Sequence, residues 1–149
     1  MTKILRPAVF AVIITAAALP RDTAFSAQPD ARQEKESYDF ANGLLSRGMY
    51  DMAAEAYGEF ISKYPSSRYS EEARYRLAES YFLMRENGKA AEKFESLLEG
   101  EPSAGVAADA RLRLGQIRFS MGEMEQAERY FKEAMDTEGV SAETAETAE

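Results

Sequence analysis

The chain has 149 residues with no Cys, His or Trp, and 18 Lys and Arg against 26 Asp and Glu give it a formal charge of -8. That acidic balance argues against nucleic-acid or anionic-lipid partners, whose recognition needs a basic footprint. Lack of Cys and His excludes disulfides, thiol nucleophiles, zinc sites of the usual ligands and the side chain best suited to proton transfer near neutral pH, while 45% apolar and 30% charged residues fit a folded helical chain.

Lys3 and Arg6 precede an uncharged run, Pro7 to Pro20, in the order of a secretory signal. The run is too short to span a bilayer comfortably. The expected signal is residues 1–27, cleaved after Ala27, with Ala18 and Ala24 as alternative sites and an uncleaved anchor or a buried core helix as the alternative reading of the segment. Cleavage at Ala27 removes Lys3, Arg6 and Arg21 with Asp22, leaving 15 basic and 25 acidic side chains, a charge of -10. Export without Cys suits a bacterial periplasm, so a periplasmic or secreted location is expected.

A polar linker, 28–33, leads into a repeat. Ala41, Ala78 and Gly115 are separated by steps of 37, as are Ala53, Ala90 and Ala127, and the aromatics Tyr57, Phe94 and Phe131. Phe40, Leu77 and Leu114 keep the step, as do Leu45, Phe82 and Phe119, and Pro65 with Pro102. Apolar residues within a unit recur at three- and four-residue spacing, which predicts two helices per unit. Three units follow, 34–67, 71–104 and 108–139. Breaks inside them are expected at Gly48, Asn87-Gly88 and Gly122, where a left-handed residue ends a helix, and breaks between them at Pro65 and Pro102. Ser70 before Glu71 and Glu72 predicts a hydroxyl-capped helix start. Ala41 beside Ala53, with Tyr57 filling the space, predicts a close helix crossing that Leu at position 78 or 115 would overpack.

This pattern over residues 34–139 resembles the tetratricopeptide repeat family. The period and the Tyr64-Pro65-Ser66-Ser67 linker are similar to those of periplasmic Tol-Pal-associated division coordinators and of outer-membrane assembly lipoproteins. The resemblance departs at Gly100 to Gly105 and Arg85, in the short polar stretch where the coordinators carry a coiled coil, and in the missing lipidated Cys. It implies an all-α, right-handed superhelix of three helix pairs whose first helices line a concave groove. Carried over by position, the groove residues are Tyr38, Asn42 and Leu45, then Tyr75, Glu79 and Phe82, then Leu112, Gln116 and Phe119. An aromatic trough is implied, with a polar row of Asn42, Glu79 and Gln116 to hydrogen-bond a protein or peptide partner, basic or apolar in character. The two-Lys carboxylate clamp of chaperone-binding relatives does not carry over, because the first-unit position is Tyr38.

Residues 140–149 read as an acidic disordered tail with little to cover the third unit. Leu114, Ile117 and Met135 are expected to be partly exposed there, with Arg118 placing a charge where a fourth unit would pack. Such an end is either a docking edge, including self-association with no dedicated peptide ligand, or a frayed terminus. Carboxylate pairs such as Glu55 with Glu59 sit on helix surfaces, and nothing supplies a nucleophile with its base, a phosphate loop or a metal cluster. The expectation is a non-catalytic adaptor serving envelope assembly or division, with no cofactor, metal or nucleic acid and no membrane insertion once the signal is removed.

Overall fold

The computed structural model describes the backbone of residues 31–146 and the side chains of residues 31–137, and the expected signal at 1–27 lies outside them. Among the described residues six helices follow one another: α1 Ala31–Ser46, α2 Tyr50–Lys63, α3 Ser70–Leu83, α4 Asn87–Glu99, α5 Ala104–Ser120 and α6 Met124–Glu146. The described residues contain no strand. The 37-residue step fixes helix boundaries as well as side chains: α1, α3 and α5 end at Ser46, Leu83 and Ser120, and α2, α4 and α6 begin at Tyr50, Asn87 and Met124.

The turn inside each unit is the same hydrogen-bonded device. The amides of Met49, Glu86 and Glu123 donate to the carbonyls of Leu44, Tyr81 and Arg118, five residues back, and the preceding amides donate to Leu45, Phe82 and Phe119. This closure needs one left-handed residue. Gly48 (φ 74°) and Gly122 (φ 81°) supply it, but in the middle unit it falls on Arg85 (φ 61°), while Asn87 and Gly88 already belong to α4. The break expected at Asn87-Gly88 therefore lies two residues earlier, because the repeat register outweighs the local preference of Arg for right-handed backbone.

The linkers between units differ. Six residues join α2 to α3, where the Ser70 hydroxyl donates to the Tyr64 carbonyl at 2.7 Å and ties the linker across its own width. Ser70 is thus no cap; Tyr69 occupies that position without a capping hydrogen bond. Only four residues join α4 to α5, with Glu101 left-handed (φ 51°), and Ser103 donates to Glu71 at 2.5 Å to hold the shorter link.

Each unit's apolar face is too wide to be covered by its own partner helix, so the core forms between units. One cluster joins α1, α2 and α3 through Ala41, Tyr57, Phe60 and Ala73; the other joins α3, α4 and α5 through Ala78, Phe94, Leu97 and Leu114. Fully burying a side chain such as Phe94 contributes about 2 to 3 kcal/mol. Small residues set the crossings: at Gly115 even a Cβ would stand 2.5 Å from Cε1 of Phe131.

Two expectations at the C-terminal end are corrected. Leu114 and Ile117 are fully buried, because α5 turns that side back onto α4 rather than outward; only Met135 is exposed. The backbone stays helical to Glu146, past residue 140 where the tail was expected to begin, and α1 likewise starts at Ala31, inside the expected linker.

Candidate functional site

The first helices α1, α3 and α5 carry the positions assigned to the groove, and register decides what each side chain meets. Tyr38, Tyr75 and Leu112 are equivalent, yet their environments differ. Tyr38 is half-buried and stacks on Tyr69 with ring centroids 4.7 Å apart. Tyr75 is buried, packs on Phe94 at 5.5 Å and belongs to the core. Leu112 is 42% exposed. Tyr75 is therefore removed from the trough: α5 closes over it, and burial pushes its hydroxyl above the ordinary tyrosine value while a hydrogen bond to Arg113 pulls it back.

The polar row is tied up internally rather than left as an open ladder. Asn42 Oδ1 accepts from the Tyr57 hydroxyl at 2.5 Å. Glu79 is 8% exposed, and its two carboxylate oxygens take Arg76 at 2.7 Å and Arg113 at 3.1 Å. Gln116 Oε1 accepts from Arg113 at 3.2 Å. Arg76 also reaches Glu72 at 2.8 Å, so a charged chain runs from Glu72 through Arg76, Glu79 and Arg113 to Gln116, linking α3 to α5. Burial opposes the Arg76 charge, but the hydrogen bond and attraction of Glu79 and Glu72 outweigh it and hold the guanidinium protonated far above the working range. Arg113 is kept charged in the same way by Tyr75 and Glu79.

Arg76 and Arg113 were not among the expected groove residues, although they lie 37 apart and the signal was present in the register. Their guanidiniums remain about a third exposed and lie over the Tyr75 and Phe82 rings at 5.6 and 5.2 Å. With the acceptor oxygens of Asn42, Glu79 and Gln116 engaged, Arg76 and Arg113 keep part of their N–H groups toward this face. Beside it Phe82, Leu83, Arg85, Asn87, Gln116 and Ser120 line an open cleft of about 290 Å³ between α3 and α5. Leu45 is half-buried against the first core cluster.

Phe119 does not join this face. It is 58% exposed and meets Met124, Ala127, Phe131 and Met135 in an open trough of about 630 Å³ on the last helix pair, rimmed by Glu128, Lys132 and Asp136. Arg118, expected to place its charge at this end, instead points back to α4, where it pairs with Glu95 at 2.6 Å and with Glu123 at 2.9 Å. Among the described residues no three His, Cys, Asp or Glu side chains gather as metal ligands would, and no helix is long and apolar enough to cross a membrane.

A family model described as a tetratricopeptide repeat-like domain matches residues 7–147. The cell division coordinator CpoB of Pseudomonas putida is 42% identical over 55 residues, which is 36% of this chain and 20% of that protein, and a second P. putida coordinator of the same name gives the same figures. The match thus spans about a fifth of the length of these curated relatives.

Proposed function

The chain belongs to the tetratricopeptide repeat-like family, and on that footing we propose that it is an exported, non-catalytic adaptor holding a segment of another protein against the face of α1, α3 and α5. The observation that carries this reading is the pair Arg76 and Arg113. Glu79 fixes both guanidiniums in place, so their remaining N–H groups are pre-positioned, and little side-chain freedom is lost when a partner's carbonyl or carboxylate oxygens accept from them. Phe82 and Leu112 supply apolar contact on either side, and the cleft beside Gln116 can take one side chain of the segment.

Export is supported by Lys3, Arg6 and the uncharged run from Pro7 to Pro20. Service in envelope assembly or division is supported by the similarity to a cell division coordinator. Affinity capture from envelope extract tests the reading, comparing the wild type with a Leu112→Asp, Gln116→Ala variant, both side chains being surface rather than core. Loss of specific partners in the variant, with helix content unchanged, is the expected result. Recovery of the same partners by both proteins would remove the face from consideration.

A further inference from the structure

We propose that the open trough on α6 is the seat of a second copy of this chain, joined as an antiparallel, two-fold dimer of C-terminal ends. The register shows what the trough is missing. Leu45 and Ile61, and again Phe82 and Leu98, are partly covered within the stack; Phe119 and Met135 hold the same positions in the third unit and are 58% and 65% exposed. Met124, beside them, is 51% exposed. An end of this composition has an apolar patch that neighbouring units normally cover.

The first helix of another copy cannot act as a fourth unit. Ala73 and Ala110, the residues that seat α3 and α5 in the stack, are 0% exposed, and the equivalent residue of α1 is Glu36, which pairs with Arg32 at the surface. Head-to-tail stacking would bury that carboxylate where the fold places a methyl group. Head-to-tail growth through α1, and with it an open chain of subunits, is disfavoured by that carboxylate.

Two copies of the C-terminal end are self-complementary. Lys132 lies one turn from Glu128 and one turn from Asp136 along the trough rim. When two α6 helices run antiparallel about a point near residue 130, Lys132 of each copy stands opposite Glu128 of the other, and Met135 lies over Met124 and Phe119 of the other. Charge and apolar surface thus match in a single arrangement, twice over.

Sedimentation velocity tests the pairing on the chain expressed with its own N-terminal segment and purified as the cell delivers it. A reversible dimer in the micromolar range is expected, as befits a small interface. Met135→Glu is expected to weaken it at least tenfold with unchanged helix content. Glu128→Lys alone and Lys132→Glu alone should each be monomeric, since each sets like charges face to face, while an equal mixture of the two should form a mixed dimer. That rescue cannot arise from misfolding of either variant. A wild type that stays monomeric at hundreds of micromolar, growth beyond a dimer, or a mixture no more associated than its components would overturn the proposal. Partner capture by the α1, α3 and α5 face is unaffected by any of these changes, so the two readings fail separately.

Discussion

Gly115 sits in the middle of α5, where glycine is a poor choice unless packing demands it. Replacing it with Ala should gain about 1 kcal/mol of helix propensity. The new Cβ, however, would stand 2.5, 2.6 and 3.0 Å from Cε1, Cδ1 and Cζ of Phe131. Carbon atoms in contact prefer about 3.5 to 4 Å, so the ring has to retreat by roughly an ångström. Overpacking of this kind costs about 1 to 3 kcal/mol, which outweighs the propensity gain and leaves Gly115→Ala destabilised by about 1 kcal/mol. Truncating the ring isolates the cause: in a Phe131→Ala background the same Gly115→Ala change meets no ring and should stabilise by up to about 1 kcal/mol. The coupling between the two sites is then about 2 kcal/mol, well outside the additivity expected of independent positions. Urea unfolding followed by helical circular dichroism on the four proteins measures it. A Gly115→Ala change that stabilises both backgrounds equally would refute the claim that Phe131 excludes a side chain here.

Arg85 occupies the left-handed turn position that Gly48 and Gly122 fill in the other units, so Arg85→Gly should raise stability by about 1 kcal/mol; an unchanged or lowered urea midpoint would contradict the strain. Tyr57→Phe removes the donor to Asn42 Oδ1 from a fully buried ring and should cost about 1 kcal/mol with little change in the helical spectrum. Burial pushes the hydroxyls of Tyr57, Tyr75 and Tyr38 above the ordinary value of 10.0, Tyr57 most of all. Their neutral forms therefore favour the folded state, and this contribution is intact below pH 10 and lost as pH rises through 10 toward the folded values, because the unfolded chain ionises first. Absorbance at 295 nm should show Tyr57, Tyr75 and Tyr38 ionising above pH 10, Tyr57 last and only as helix is lost. Ionisation of these three near 10 in a folded chain would contradict this.

The architecture was readable because a 37-residue step constrains three copies at once: a small residue facing an aromatic is weak evidence singly and strong evidence when Ala41 with Tyr57, Ala78 with Phe94 and Gly115 with Phe131 share one spacing. Exposure was less readable because it depends on a residue's place in the stack as well as its place in the unit. Tyr38, Tyr75 and Leu112 share a register, yet among the described residues only the middle one has a first helix on either side, and it alone of the three is core. Leu114 and Ile117 were expected at the open end because they lie in the last unit, but α5 faces backward to α4, so the uncovered surface falls on α6 and the end of α5 instead.

The same reasoning explains why the two ends of the stack differ in chemistry. At the start, the position of Ala73 and Ala110 is held by Glu36, and Phe40, in the register of the buried Leu114, is left 62% exposed. One apolar ring beside a carboxylate gives little for a partner helix to bury, and the carboxylate would have to be desolvated to reach it. At the finish, Phe119, Met124 and Met135 are contiguous and the charges stand on the rim. A carboxylate at the stacking position of one end, and an apolar trough framed by charges at the other, is the pattern expected if growth is stopped while one face stays available for docking.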